Sequence, residues 1–406
     1  MRAAVWNPVR GCRPASDGCL HCWAAAVANM RQHNPLIGAR YQGLTTKTAD
    51  GRPVFNGTTR LTDDDLDLPL RTKKPTVYFV CSEADLFGES VRDEWIDRVF
   101  AVMALCPQHL FILLTKRARR MRAYMTDDGG FGRWGYIENR AKHIARQVLL
   151  MRMGDLAGKT LAHYGQSNLP NVWMGVSVEN QATADERIPE LLATPAALRW
   201  VSAEPLLGEV DLRRVHWRDG DDDIYFDALA GGHWMIDSLG KEMSVDGPVW
   251  GRLDWVIAGG ESGLGARPTP TDWARTLRDQ GAAAGVPFFF KQWGEWTPTG
   301  SVDTYSHGPK HERAYPTAEG VLLFRDGRTY MRDFSVKEHG ERQRRGIAVN
   351  TAAVIVDKSA DRDFRRMIAD EKRIEDDPLG TQWMYRVGKK AAGHLLDGRE
   401  HREVPR

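Results

Sequence analysis

The chain has 406 residues, enough for one large domain with an appendage or for two domains, and its composition is that of an ordinary globular protein. Lys and Arg number 56 against 54 Asp and Glu, so no global basicity argues for nucleic-acid binding and only a local patch could provide it. No apolar run is long enough to span a bilayer and no signal segment precedes the first motif. Five cysteines in such a chain fit a reducing, cytoplasmic setting.

A short strand is expected at residues 3–6. It leads into Gly11-Cys12-Arg13-Pro14-Ala15-Ser16-Asp17-Gly18-Cys19-Leu20-His21-Cys22-Trp23, which carries three of the five cysteines as C-x6-C-x2-C. Thiolates are soft ligands, and three in one loop suit iron–sulfur or zinc. A four-iron cluster held by three thiolates keeps one iron open for a substrate or cofactor. The alternatives are a structural zinc site completed by His21 or a distant residue, or a disulfide. Pro14 and Gly18 bend the loop, and Gly11 permits unusual backbone angles beside the first cysteine. From Cys19 the residues favour a helix, which would place Cys19 and Cys22 on one face of its first turn, at an end that favours thiolates.

Residues 31–71 have weak periodicity and the turn signals Asn34-Pro35, Asp50-Gly51 and Asn56-Gly57. Asp63-Asp64-Asp65-Leu66-Asp67 reads as a solvated helix start. A regular pattern then begins. Strands are expected at 77–81, 110–114, 172–176, 198–201, 253–258 and 287–290, each a short apolar run. Helices are expected at 95–104, 137–153, 185–192 and 273–284. Cys81 and Cys106 sit in apolar surroundings and read as core residues.

Strands alternating with helices imply a parallel sheet covered by helices. Seven or eight such units suit an α/β, TIM-barrel-like fold, as a full or partial β/α barrel. An open doubly wound sheet is the alternative. Polar residues recur just where strands end: Ser82, Glu83 and Asp85; Lys116 and Arg117; Ser177 and Glu179; Ser202 and Glu204; Gly259, Gly260 and Glu261; and Lys291. Barrels place their sites on that face. Residues 1–296 read as the barrel, with an insertion at about 207–251. Residues 297–406 read as an accessory region, with strands expected at 321–324 and 348–356 and a helix at 383–396.

The motifs Trp6-Asn7-Pro8, Gly11-Cys12, Gly18-Cys19, His21-Cys22, Ala84-Asp85-Leu86-Phe87, Leu114-Thr115-Lys116-Arg117, Asn171-Val172-Trp173, Gly175-Val176-Ser177-Val178-Glu179, Ser202-Ala203-Glu204-Pro205-Leu206, Gly259-Gly260-Glu261-Ser262-Gly263 and Phe290-Lys291-Gln292-Trp293-Gly294 resemble an uncharacterised family of phage and prophage proteins. That family is described by its three-cysteine motif and its similarity to radical S-adenosylmethionine (SAM) enzymes. The likeness runs from Trp6 to about Trp296. It implies a [4Fe–4S] cluster on Cys12, Cys19 and Cys22, with SAM at the open iron and cleaved reductively to modify a substrate. Under that resemblance Ser82, Glu83, Asp85, Ser177, Glu179, Ser202, Glu204, Gly259, Gly260, Glu261 and Lys291 become candidates for holding the cofactor. Lys116 and Arg117 become candidates for a substrate carboxylate or phosphate, as in a nucleic acid or nucleotide. A host cytoplasm is the expected location if the gene is phage-borne.

Each charged residue could equally be an internal salt-bridge partner, and Ser177 and Ser202 could simply satisfy strand-end backbone groups. The competing function is a metal-stabilised, non-enzymatic module that binds nucleic acid or a partner protein. Its phosphate contact would be the basic run from Lys116 to Arg122, and its stacking surfaces would come from the fourteen tryptophans.

Overall fold

The computed structural model describes residues 2–126, 169–219, 222–236, 242–244, 251–263, 265–298, 320–323, 329–336, 342–347, 382–386 and 389–405. The helix expected at 137–153 and the strand expected at 348–356 lie outside these residues. The chain divides into two compact units, Met1–Ser202 with Leu212–Val256, and Ala203–Asp211 with Ile257–Arg406.

In the first unit, β1 (Arg2–Trp6), β2 (Thr76–Val80), β3 (Leu110–Thr115), β4 (Val172–Ser177) and β5 (Leu198–Ala203) are parallel neighbours in chain order. The apolar runs of β2 to β5 fit strands with little exposed surface, whereas only Trp6 of β1 is fully buried. The register pairs Trp6 with Val80, Val80 with Leu113, Thr115 with Val176 and Ser177 with Ser202. The carboxy ends therefore come out along one edge, and the residues that follow them become neighbours.

Helix α1 (Trp23–Arg31) follows the cysteine loop, α2 (Asp93–Leu105) follows β2, α3 (Ala118–Thr126) follows β3 and α4 (Gln181–Leu192) follows β4. In α2, Ile96, Val99, Phe100 and Met103 recur at three- and four-residue intervals and are all buried. Asn180 starts α4 with a capping box: its side chain accepts the Thr183 N–H, and Thr183 reaches back to the Asn180 backbone. Strand β6 (Trp255–Gly259) begins beside β5, where the Asp254 N–H donates to Arg199 O at 2.8 Å and its carboxylate accepts the Arg199 N–H at 2.8 Å. Val215–Asp219, Asp222–Phe226, His233–Ile236 and Glu242–Ser244 form an antiparallel four-stranded sheet between β5 and β6.

In the second unit, α5 (Thr271–Ala284) ends at Gly285, whose φ of 67° suits a left-handed helix stop, and leads to β7 (Phe288–Gln292). The Gly260 N–H donates to Gln292 O at 2.9 Å, placing the end of β6 beside β7. Trp296–Pro298, Gln382–Arg386, Gly320–Leu323, Thr329–Val336 and Arg342–Ile347 make a five-stranded antiparallel sheet. This corrects the helix expected at 383–396. Gln382–Arg386 pairs with Trp296–Pro298 and Gly320–Leu323, and among the described residues there only Lys389–Ala392 is helical. Trp383 and Tyr385 favour a pleated ladder, and long-range pairing wins over local periodicity.

Sheet neighbours follow chain order from β1 to β7. A doubly wound sheet reverses its order at a switch point, whereas barrels do not. The chain is thus a mixed α/β protein whose parallel strand succession is compatible with a partial barrel.

Close packing between β4 and β5 depends on one glycine. A Cβ on Gly175 would lie 2.3 Å from the buried Trp200 ring. Gly175→Ala should therefore destabilise the protein by about 1–3 kcal/mol through overpacking, measured as a lower urea midpoint. Adding Trp200→Phe should restore part of the loss.

Candidate functional site

The cysteine loop is pinned to the end of β2. Val9–Arg10 pairs with Arg60–Leu61, and the Gly11 N–H donates to Glu83 O at 3.1 Å, with a bridge to Ala84. Gly11 has a φ of 85°, and a Cβ there would meet Thr58 O at 2.1 Å, so only glycine fits. After Cys12 the chain turns through a 3₁₀ segment, Asp17–Cys19. The expected helix start at Cys19 is corrected: α1 begins at Trp23, and Cys22 is its extended N-cap residue with ψ 112°. Cys19 donates its N–H to Ser16 O, and Cys22 donates to Cys19 O, so tight three-residue turns replace the first helical turn.

All five thiols are free, and Cys12, Cys19 and Cys22 are partly buried. Cys12 and Cys22 pack against one apolar cluster formed by Ala24, Ala25, Ala28, Tyr41, Leu44 and Phe55. Burial is the main force pushing the Cys12 thiol up to about 12, and Asp85 adds to it; the Arg117 guanidinium, 3.9 Å from Cys12 Sγ, opposes it. Burial also raises Cys22, against the first-turn amides of Ala25 and Ala24, which favour its thiolate. Cys19 raises both of the other thiols, so the three sulfurs share one electrostatic neighbourhood. Cys19 Sγ accepts the Ala15 N–H at 3.4 Å. Among the described residues, no three His, Cys, Asp or Glu side chains are gathered around a single point that could hold one metal ion.

Glu179, just past β4, is the hub beside the loop. Its side chain is 1% exposed and pairs with Lys116, and with Arg187 at 2.9 Å. Ser16 Oγ donates to it at 2.9 Å, and Lys116 Nζ donates to Ser16 at 3.2 Å. Gly18 makes the approach possible, because a Cβ there would lie 2.7 Å from Glu179 Cγ and 2.8 Å from Lys116 Nζ. Burial alone would raise the Glu179 carboxyl, but Lys116 and Arg187 hold it below the ordinary glutamate value.

Asp85 accepts from Thr115 Oγ at 2.6 Å, Phe87 N at 3.0 Å and Lys116 N at 2.9 Å, with Arg117 at 3.4 Å. It knits the end of β2 to the end of β3. Burial works against the Arg117 charge, yet Asp85, Cys12 and Glu89 outweigh it and raise its pKa. Glu83 is held by Arg31, by the Tyr41 hydroxyl at 2.9 Å and by Arg10 at 3.3 Å. Ser82 donates to Asn7 Oδ1 at 3.2 Å. Ser177 and Ser202 are buried register partners on β4 and β5.

The remaining predicted residues belong to the second unit. Lys291 pairs with Glu204 at 3.1 Å, and Gly259 leaves room for Glu204, whose carboxylate a Cβ would meet at 2.6 Å. Gly260 lies against Trp293 O, where a Cβ would come within 2.0 Å. Glu261 grips Arg267 through both carboxylate oxygens and also accepts the Arg267 N–H. Sequence reasoning missed Arg10, Arg31, Tyr41 and Arg187, the counter-charges and donors for Glu83 and Glu179. Arg10 had a weak signal, its place directly before Gly11-Cys12. Ser16 had one too, since it lies between two candidate ligands. Arg187 is one charge within a helix and had none.

The fold and site define an α/β protein with a cysteine-bearing loop set against the carboxy ends of parallel strands. The chain belongs to the family described as protein of unknown function (DUF5131), whose profile matches residues 2–405. No curated protein and no solved structure matches it. No described helix is long and apolar enough to cross a membrane.

Replacing Glu179 tests the hub. Glu179→Gln keeps the shape but strips the counter-charge from Arg187, whose side chain is 2% exposed. The expected cost is about 3–5 kcal/mol at neutral pH. A carboxylate with a depressed pKa contributes stability above the unfolded value and loses it as pH falls through the folded one. The gap between wild type and variant in urea unfolding should therefore narrow in acid, below the ordinary Glu value of 4.5.

Proposed function

We propose that the protein is an iron–sulfur enzyme of the radical SAM type on a partial β/α barrel, with Cys12, Cys19 and Cys22 each holding one iron of a [4Fe–4S] cluster. The observation that carries the reading is the loop itself. Three thiols share one neighbourhood at the strand ends, two of them against an apolar cluster, with Arg117 beside Cys12 and helix amides beside Cys22. Such a cluster, when bound, supplies one-electron chemistry to SAM at its open iron. The chain's own residues position the loop and keep water from it. Gly11 and Gly18 permit close approach, Glu179 and Lys116 clamp Ser16, and the apolar cluster packs against Cys12 and Cys22.

The partners of Glu83, Asp85 and Glu261 narrow the roles expected of them. Each is engaged by internal cations, so we assign them to holding the strand ends rather than to gripping SAM directly. Lys116 and Arg117 border a groove and remain the candidates for contacting a substrate.

Anaerobic reconstitution with iron and sulfide should load about four irons per chain. Cys12→Ala, Cys19→Ala and Cys22→Ala should each lower that loading. The resonance signal of the reduced protein should shift when SAM is added. Stoichiometric zinc without iron uptake, or iron loading indifferent to all three substitutions, would overturn the assignment.

A further inference from the structure

A groove of about 1150 Å³ runs from the cysteine loop along α3. It exceeds the roughly 300–1,000 Å³ usual for a small-ligand pocket. Arg13 enters from the loop, Lys116 and Arg117 from the end of β3, and Arg119, Arg120 and Arg122 from α3. With Arg187 the lining holds seven cations against three carboxylates, Glu89, Glu186 and Glu190. A chain whose formal charge is only +2 thus concentrates a surplus of four here.

The cations divide into two kinds. Arg117 is tied to Asp85 and Glu89, Arg120 to the carbonyls of Gly88 and Val91 and to Asp93, Arg122 to Glu190, and Arg187 and Lys116 to Glu179. Arg13 and Arg119 are exposed, and among the described residues neither side chain makes an ion pair or hydrogen bond. Arg119, Arg122, Ala123 and Thr126 recur at three- and four-residue spacing, so one face of α3 lines the groove. Trp217, from the sheet between β5 and β6, adds an aromatic wall that is partly exposed.

We propose that this groove binds single-stranded nucleic acid, with Arg13 and Arg119 on successive phosphates and Trp217 stacking on a base. A charged trough with an aromatic wall is what unpaired strands need, since an unstacked base offers its face and a paired one does not. The inference names the substrate class of the cysteine-loop site and so rests on the proposed function for the fate of the strand. The binding step needs no cluster.

The test is fluorescence anisotropy on the full chain with a labelled oligothymidylate of about 16 nucleotides, titrated between about 50 and 200 mM salt. The double substitution Arg13→Ala/Arg119→Ala should weaken binding at least about tenfold and flatten the log–log salt slope by about 1.4, at ~0.7 for each lost phosphate contact. Trp217→Ala should cost about five- to hundredfold and leave the salt slope unchanged. Inorganic polyphosphate and a duplex of equal length should compete poorly. Melting temperatures of the variants guard against misfolding, and they should stay near the wild-type value because among the described residues neither the Arg13 nor the Arg119 side chain makes an ion pair or hydrogen bond. No binding by the wild type, or unchanged affinity and slope in the double variant, overturns the proposal. So does equal competition by polyphosphate or duplex. A Cys12/Cys19/Cys22→Ala triple variant should lose iron yet keep the strand, and iron content read on the same samples shows separately whether the cluster assignment fails.

Discussion

One buried carboxylate organises the first unit. Glu179 sits at the end of β4 with almost no exposed surface and is engaged by Lys116 from β3, Arg187 from α4 and Ser16 from the cysteine loop. A lone carboxylate in that position would be expensive to bury. Two cations and a hydroxyl offset that cost, and in doing so they join three separate stretches of chain at one point. Gly18 lets the loop come close enough, where any side chain would collide with the pair.

The other strand ends follow the same pattern on a smaller scale. Asp85 collects the Thr115 hydroxyl, two backbone amides and Arg117, and Glu83 collects Arg10, Arg31 and Tyr41. Buried charges left over after such pairing are rare, so most of the polar residues at these ends are consumed in holding the edge together. The loop sulfurs and the two exposed groove arginines, Arg13 and Arg119, are the groups with chemistry to spare. The pairing explains why the loop is placed firmly although its own regular structure is only a three-residue 3₁₀ turn.

The strand runs were legible because each is a short apolar stretch closed by polar residues, and the observed strands agree with them to within about two residues. The helix start at Cys19 and the helix at 383–396 were misread for one reason. Helix-forming residues dominate both windows, but other backbone pairings decide the outcome, a three-residue turn from the Cys22 N–H to Cys19 O in the first case and the strands at 296–298 and 320–323 in the second. The cysteine loop announced itself by residue type and spacing. Its counter-ions did not, because Arg10, Arg31 and Arg187 are ordinary arginines until the fold brings carboxylates to them.

Sequence alone determined the alternation of strands and helices, the strand-end positions of the polar residues, and the three thiols in one glycine-containing loop. These are properties of local pattern and side-chain chemistry. The tertiary structure decided which charges neutralise one another, that Lys291 pairs with Glu204 and Glu261 with Arg267, and that cations from a loop, a strand end and a helix line a single groove. Such pairings depend on distances of a few ångströms between residues as many as 163 positions apart. Coulomb attraction acts on those distances and is indifferent to separation along the chain.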